Sequence, residues 1–162
     1  MSMTGKHEFT LFADYFQFYL QDEAASGDLS EAWTVDAVDR LLAVAPGVIG
    51  IGTVRNMDVP VEVEVLAEAP ADDLSQWDRA NECSVNLASG KAVIAGCTDF
   101  FPEAARLAIA PGVYRARIYY GNLASVSADG LEGADHYRIA LWPAPEGPVV
   151  QLKSPGVTRR EG

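Results

Sequence analysis

Few side chains in this sequence are of the types that carry out acid–base or nucleophilic chemistry. The two histidines are His7, in or beside a first predicted strand, and His136, at the start of a late one. A Ser-His-acid or Cys-His site needs a base held against a nucleophile, and neither histidine lies in a motif that predicts such a contact. We therefore expect no enzyme, since an active site would need a cleft that brings His136 close to Asp129 or Asp135.

The two cysteines, Cys83 and Cys97, stand at equal distances along the chain from Gly90. Ser89 and Gly90 predict the turn of a hairpin, in whose register Cys83 faces Cys97. Two cysteines without a Cys-x-x-Cys motif or nearby histidines do not form a zinc site, and a cytosolic setting keeps thiols reduced. We expect two free, neighbouring, structural thiols and no cofactor.

The loop before His136 has an acidic residue at every third position, namely Asp129, Glu132 and Asp135. These carboxylates could collect a hard cation, but the loop lacks the ligand spacing and closing glutamate of a calcium-binding helix-loop-helix motif. A cation site and a set of solvated acids both stay open. The sequence has no phosphate-binding Gly-Lys-Ser or Gly-Lys-Thr loop, no dinucleotide fingerprint and no Gly-x-Ser-x-Gly elbow.

Two predicted strands carry charged side chains in alternation. Glu62 and Glu64, with Glu68 beyond them, form an acidic row that a basic partner could recognise. Arg115 and Arg117 alternate with tyrosines, a composition typical of protein interfaces and also ordinary on a solvated sheet face. These five residues are our candidate partner-binding residues.

The charge of the chain is strongly one-sided. It holds 23 acidic and 12 basic residues, for a net charge of −11. Residues 1–81 carry fifteen acids and four bases, whereas residues 82–162 carry eight of each. Negative potential repels the phosphates of nucleic acids and membranes and attracts basic partners, so we expect no direct nucleic-acid or membrane binding. The acidity also has a plainer interpretation, as a means of keeping the protein soluble.

The elements that must position these residues are mostly strands, because apolar residues recur with a period of two. This pattern predicts a mainly β protein, an antiparallel β-sandwich of about eight or nine strands with one inserted α-helix near the N-terminus. We expect a single domain over residues 1–162, with an ordered core of about 7–153 and tails at 1–6 and 154–162. Neither a membrane span nor a secretory signal is evident, so we expect a cytoplasmic protein.

Two local features of the N-terminal third shape this fold. Apolar residues occupy odd positions at Phe9 and Leu11 but even positions from Phe16 to Leu20, which predicts a bulge or break in between. Helical spacing then predicts a helix that is capped by Thr34, runs through Leu42 and stops at Pro46.

Trp33 precedes the cap of this helix. We expect Trp33 to be buried and to pack on Val38 as a hydrophobic staple.

Several short stretches, in order along most of the chain, together resemble one protein family. They are YFQFYL at 15–20, AWT at 32–34, GVIGI at 47–51 followed by Arg55-Asn56, APGVYR at 110–115 and ADHYRI at 134–139. The family that they resemble is the competence protein J family, described as inhibitors of the competence DNA-entry nuclease. The resemblance implies a small cytosolic protein that binds a nuclease and shields the cell from it.

The leading hypothesis from the sequence is a non-catalytic protein-binding module of the inhibitor or immunity type, whose partner is a basic nuclease. Carboxylates would stand in for phosphates in the basic cleft of that partner. The alternative is a small-ligand-binding β-sandwich, with a pocket between its sheets lined by Tyr15, Trp33, Trp77 or Trp142.

Overall fold

Eleven strands form two sheets that pack face to face in the computed structural model, which describes residues 5–25, 28–71, 74–99 and 101–154. The first sheet, sheet A, has the strand order β1-β5-β10-β9-β6-β11. Its strands are β1 (Gly5–Phe12), β5 (Asp58–Val65), β6 (Arg79–Leu87), β9 (Gly112–Gly121), β10 (His136–Pro143) and β11 (Val150–Lys153).

The second sheet, sheet B, has the order β3-β4-β2-β7-β8. Its strands are β2 (Gln17–Asp22), β3 (Leu42–Ala45), β4 (Val48–Gly52), β7 (Lys91–Gly96) and β8 (Ala105–Ala108). All neighbours pair antiparallel except β5 and β10, which pair in parallel. The predicted mainly β sandwich is thus confirmed, with more strands than expected. β1 begins at Gly5, and residues 1–4 and 155–162 of the expected tails, 1–6 and 154–162, lie outside the described residues.

The core between the sheets follows the alternation of the strands. Val59, Val61, Val63 and Val65 of β5 all point inward and are at most 4% exposed. The inward face of β9 is formed by Tyr114, Ala116, Ile118 and Tyr120, as the alternation predicted. Phe18 and Leu20 of β2 meet these residues from sheet B, so the space between the sheets is filled by side chains.

A tyrosine corner fixes the crossing from sheet B to sheet A between β8 and β9. The hydroxyl of Tyr114, near the start of β9, donates to the carbonyl of Ala110 four residues earlier. Such a bond holds the chain at the point where it changes sheets in Greek-key sandwiches. The Pro111-Gly112 turn lies inside this loop, and Gly112 adopts a φ of 147° that favours glycine.

The helix, α1, is shorter than its apolar spacing predicted, because it spans only Val35–Arg40. Thr34 caps it as expected, by accepting a hydrogen bond from the Ala37 amide. Leu41 then adopts a left-handed φ of 64° and ends the helix, and the following residues pair with β4 as strand β3. Pairing within a sheet therefore overrides the helical periodicity of these apolar residues. No helix in the described part of the chain is long and apolar enough to cross a membrane.

Trp33 is not fully buried, and Val38, its predicted staple partner, is 53% exposed. The half-buried Trp33 ring instead lies on the outer face of sheet B over Gly50, where an added Cβ would come within 2.9 Å of the ring. The glycine leaves the space that the indole occupies. Trp33 therefore packs against β4 of sheet B.

The predicted contact between the cysteines is wrong. Cys83 lies in β6, opposite Ala116 of β9 in sheet A, whereas Cys97 follows β7, which pairs with β2 and β8 in sheet B. The turn at Ser89 and Gly90 therefore connects strands of opposite sheets rather than a hairpin. Both thiols are free, and Cys83 is buried while Cys97 is exposed.

This difference in burial predicts how the two thiols react. Burial raises the pKa of Cys83 to about 12, so little of it is thiolate at pH 8. We expect a small thiol-specific reagent at pH 8 to modify one thiol per native molecule, at Cys97, and two after unfolding in urea. Peptide mapping identifies the modified residue. Rapid modification of Cys83 in the native protein would contradict the buried position of β6.

Candidate functional site

The acidic row predicted on β5 lies on the outer face of sheet A, where a single arginine binds it. Arg138 of β10 donates to Glu62 at 3.1 Å through Nε and to Glu64 at 2.6 Å through Nη2. Its guanidinium also stacks over the Tyr119 ring, 4.7 Å from the ring centroid. Glu68 lies beyond the strand and is exposed. The row is therefore only partly available as free negative charge.

The two arginines predicted on β9 both bind one carboxylate. Arg115 and Arg117 each lie 3.0 Å from a different oxygen of Glu82. Arg115 also donates to Ser84 and to the carbonyls of Gly147 and Pro148, and is only 8% exposed. It therefore attaches the segment before β11 to the sheet.

Arg117 has a similar internal role. It donates to the Pro70 carbonyl at 3.2 Å and stacks over Trp142, 5.3 Å from the ring centroid. A second, smaller apolar cluster forms where the segment after β5 crosses the outer face of sheet A: Tyr119, Ala140 and Trp142 with Leu66, Leu74, Trp77 and Ala144. This segment covers part of the face that sequence analysis assigned to a partner.

The different environments of two arginines predict different costs of removing them. Arg115→Ala leaves the nearly buried Glu82 with one partner fewer and two carbonyls without their donor, so we expect a loss of about 3 kcal/mol in the free energy of urea unfolding. Arg106→Ala is the comparison. Its partner Glu23 is more exposed, and the two carbonyls that it binds, those of Pro102 and Ala104, are close to it in sequence, so it should cost about 1 kcal/mol or less. Equal losses would show that Arg115 has no special structural role.

The four aromatic residues that were predicted to line a ligand pocket between the sheets do not lie there. Tyr15 is 69% exposed at one end of the sandwich, and Trp33 lies on the outer face of sheet B. Trp77 and Trp142 belong to the cluster on the outer face of sheet A. The four aromatic residues therefore do not share a pocket. Alternation alone could not separate inner from outer aromatic residues here, because both faces of sheet A are partly covered.

The acids of the loop before β10 do not converge. Asp129 accepts hydrogen bonds from the hydroxyl of Ser127 and the amide of Leu131, which fold the loop on itself. Asp135 is fully buried, 2.8 Å from Nε of Arg55. The ring of His136 packs on Trp77, 5.0 Å between centroids. Among the described residues, no group of three or more His, Cys, Asp and Glu side chains could hold a metal ion.

A backbone break between β1 and β2 produces a feature that sequence analysis did not find. The predicted change of alternation is confirmed, as a short 3-10 turn at Asp14–Phe16. Tyr15 and Phe16 both have a φ of 61°, in the left-handed region that aromatic residues rarely adopt. The alternation groups Phe16 with Phe18 and Leu20, but Phe16 is 44% exposed whereas the other two are fully buried. Two strained aromatic residues in sequence are the kind of backbone outlier that accumulates at functional sites.

A buried polar network lies directly beneath this turn. The Tyr137 hydroxyl donates to Asp135 at 2.5 Å and accepts from the Val54 amide at 3.1 Å. Asp135 also pairs with Arg55, whose carbonyl accepts a hydrogen bond from the Thr53 hydroxyl. The network joins the segment between β4 and β5 to the start of β10.

Backbone hydrogen bonds tie three loops together above the network. The Thr53 amide donates to the Phe16 carbonyl, and the Ala13 amide donates to the Met57 carbonyl. The Asn56 amide donates to the carbonyl of Gly130, over which the Phe16 ring packs. Residues 13–16, 53–57 and 127–132 therefore form one surface at this end of the sandwich.

This surface is apolar in the centre and acidic around it. We call it the loop platform and define its centre by five exposed residues: Phe12 (38%), Tyr15 (69%), Phe16 (44%), Met57 (42%) and Leu131 (43%). Soluble proteins rarely expose large apolar residues together unless they bind something there. The parity change near Ala13 was the one sequence signal of this site, but it did not show which side chains would be released outward.

Comparisons with known proteins define the fold further. The sequence matches no protein-family model, and no curated protein matches it. The structure is similar to that of ComJ from Bacillus subtilis, described as an inhibitor of the DNA degrading activity of NucA, with 15% identity and a TM-score of 0.69 over 88% of this chain and all of ComJ. It is also similar to a protein described as crocagin biosynthetic gene J, with 23% identity and a TM-score of 0.59 over 90% of this chain and all of that protein. The chain therefore has a ComJ-like fold.

The buried tyrosine of the network predicts a measurable stability cost. Tyr137→Phe leaves the part-buried Val54 amide without its acceptor and Asp135 with Arg55 as its remaining partner, so we expect a loss of about 2 kcal/mol in urea unfolding. Tyr15→Phe is the control and should change the stability by less than about 0.5 kcal/mol, since its side chain is exposed. Similar values for both variants would exclude the structural role of the network.

The same residue predicts a dependence of stability on pH. Burial, and then the bond to Asp135, raises the pKa of Tyr137, and burial also raises that of Tyr120. A group whose pKa is raised in the folded state contributes its full stabilising free energy below its pKa in the unfolded state, which is about 10 for tyrosine. This stabilisation is lost as the pH rises above that value. The free energy of unfolding should therefore fall above about pH 10, and less steeply in Tyr137→Phe. A flat profile from pH 9 to 12 would contradict this.

Proposed function

We propose that this protein is a non-catalytic inhibitor that binds a nuclease and prevents it from degrading DNA. The observation that carries the proposal is the ComJ-like fold, whose relative in Bacillus subtilis is described as an inhibitor of a DNA degrading activity. The loop platform has the character of a protein-binding surface, because it exposes five apolar residues and two of them form a strained turn. The same platform supports a binding function more strongly than a catalytic one.

The charge of the chain supports a basic partner. A net charge of −11 repels DNA and attracts a protein that itself carries positive charge to bind DNA. The acidic row at Glu62, Glu64 and Glu68 contributes to this field, although Arg138 offsets part of it. Arg115 and Arg117 act, in this proposal, by supporting the sheet rather than by contacting the partner. Long-range attraction of this kind increases the association rate more than the final affinity.

Inhibition of a nuclease by the purified protein tests the proposal. We expect that a nuclease encoded beside this gene in the source genome stops degrading labelled DNA when the protein is added, and that inhibition is complete near an equimolar ratio. The protein alone should leave the DNA intact. Full nuclease activity in a molar excess of the protein, with no complex detected on a sizing column, would overturn the proposal.

The electrostatic part has its own test. Because exposed charges are screened over about 8 Å at physiological salt, the association rate in stopped-flow mixing should fall about tenfold or more between low and physiological salt. Glu68→Lys should slow association at low salt, since Glu68 is exposed beside the acidic row. An association rate independent of salt would remove electrostatic steering and leave inhibition itself in place.

A further inference from the structure

We propose that the loop platform is the surface that contacts the partner, and that Tyr15 and Phe16 insert into an apolar recess on a protein whose surrounding surface is basic. This inference rests on the proposed function and assigns it a location. It moves the contact away from the residues that sequence analysis selected, because Glu62, Glu64, Arg115 and Arg117 are already bound within sheet A.

The loop platform is energetically unfavourable for the unbound protein. A left-handed φ is unfavourable for a non-glycine residue, by on the order of one to three times the net free energy of an ordinary hydrogen bond. Two adjacent residues, Tyr15 and Phe16, have such a φ. Their rings gain little burial in return, since they are 69% and 44% exposed. A strained conformation that leaves two aromatic residues in solvent is explained when a partner covers them.

The charge of the platform loops indicates the kind of partner that they bind. Five acidic residues lie on or next to the platform loops and after the end of β7, where Gly96 approaches Phe12: Asp14, Asp58, Asp99, Asp129 and Glu132. In residues 12–16, 53–58, 97–99 and 122–135 of the described chain, the one arginine or lysine is Arg55, which pairs with the buried Asp135. Nucleic acid, an anionic membrane and a second copy of this chain would all bring negative charge against negative charge. A basic protein surface is the complementary occupant.

The platform is also held in place before binding. Its three loops are bonded to one another and to the Tyr137 network, so little conformational entropy remains to be lost on association. Aromatic side chains at the centre of a surface, with charged residues around them, also match the usual distribution of binding energy in protein interfaces.

Affinity measurements on matched variants test the location. The probe is the nuclease identified by the inhibition assay, and the measurement is its dissociation constant by biolayer interferometry. We expect Tyr15→Ser and Met57→Ser each to weaken binding at least tenfold. The control is Val150→Ser: Val150 is 40% exposed but lies in β11, at the opposite edge of sheet A from β1 and about 24 Å away at the usual strand spacing. It should stay within twofold of the wild type.

Charge reversal provides an independent arm. Asp58→Lys and Glu132→Lys place positive charge at the platform and should weaken binding at least fivefold. Glu146→Lys adds the same charge near the turn at Gly47, which lies at the other end of β2, and should have a smaller effect. Unchanged urea midpoints confirm that the variants fold. Dissociation constants within twofold of the wild type for both the apolar and the charge variants would overturn the inference while leaving the proposed function intact.

A different result would separate the two proposals. If no nuclease binds the wild type, the immobilised wild-type protein is used to capture a partner from the source cell. That partner is then identified and purified, and its dissociation constant is measured in the same way. Loss of that binding in Tyr15→Ser would support the platform and remove the nuclease. Equal binding of that partner by the wild type and by Tyr15→Ser would overturn the inference. So would a wild-type dimer in sedimentation that Tyr15→Ser abolishes.

Discussion

The conformation of the loop platform depends on the buried carboxylate of Asp135. A charge that is fully buried is unfavourable unless it is paired and hydrogen-bonded, and Asp135 obtains its partners from Arg55 and Tyr137. Arg55 lies in the loop between β4 and β5, whereas Tyr137 belongs to β10. Satisfying one carboxylate therefore fixes a loop that leaves sheet B against a strand of sheet A.

The rest of the loop platform follows from this attachment. With residues 53–57 in place, their backbone groups bind the turn at 13–16 and the loop at 127–132, and the aromatic residues at positions 15 and 16 are held outward. The outer face of sheet A differs from the platform. There, Glu82 and Arg138 form ion pairs between neighbouring strands, and the segment after β5 covers part of this face. The charged groups on the outer face of sheet A thus bind one another, while the loop platform exposes apolar side chains near acidic residues.

The sequence predicted the sandwich well, because a period of two is a local signal that burial of one face preserves in most strands. Position within that sandwich was harder to predict. Leu42 carries a helical spacing but pairs with β4, and the turn at Gly90 resembles a hairpin although its strands belong to opposite sheets. The charged candidates were placed on the correct outer faces, but alternation does not show that Arg138 or Glu82 neutralises them. The platform arises from contacts between residues far apart in sequence, such as Thr53 with Phe16 and Val54 with Tyr137, which no local pattern contains.

The central claim is that the buried network holds the platform in its binding conformation before a partner arrives. Amide hydrogen exchange of the unbound protein, compared between the wild type and Tyr137→Phe, tests it most directly. The account predicts that the amides joining the loops, those of Ala13, Thr53 and Asn56, exchange at least tenfold faster in the variant, while amides paired between β6 and β9 change much less. Exchange that is unchanged at the loops, or equally faster throughout both sheets, would contradict it.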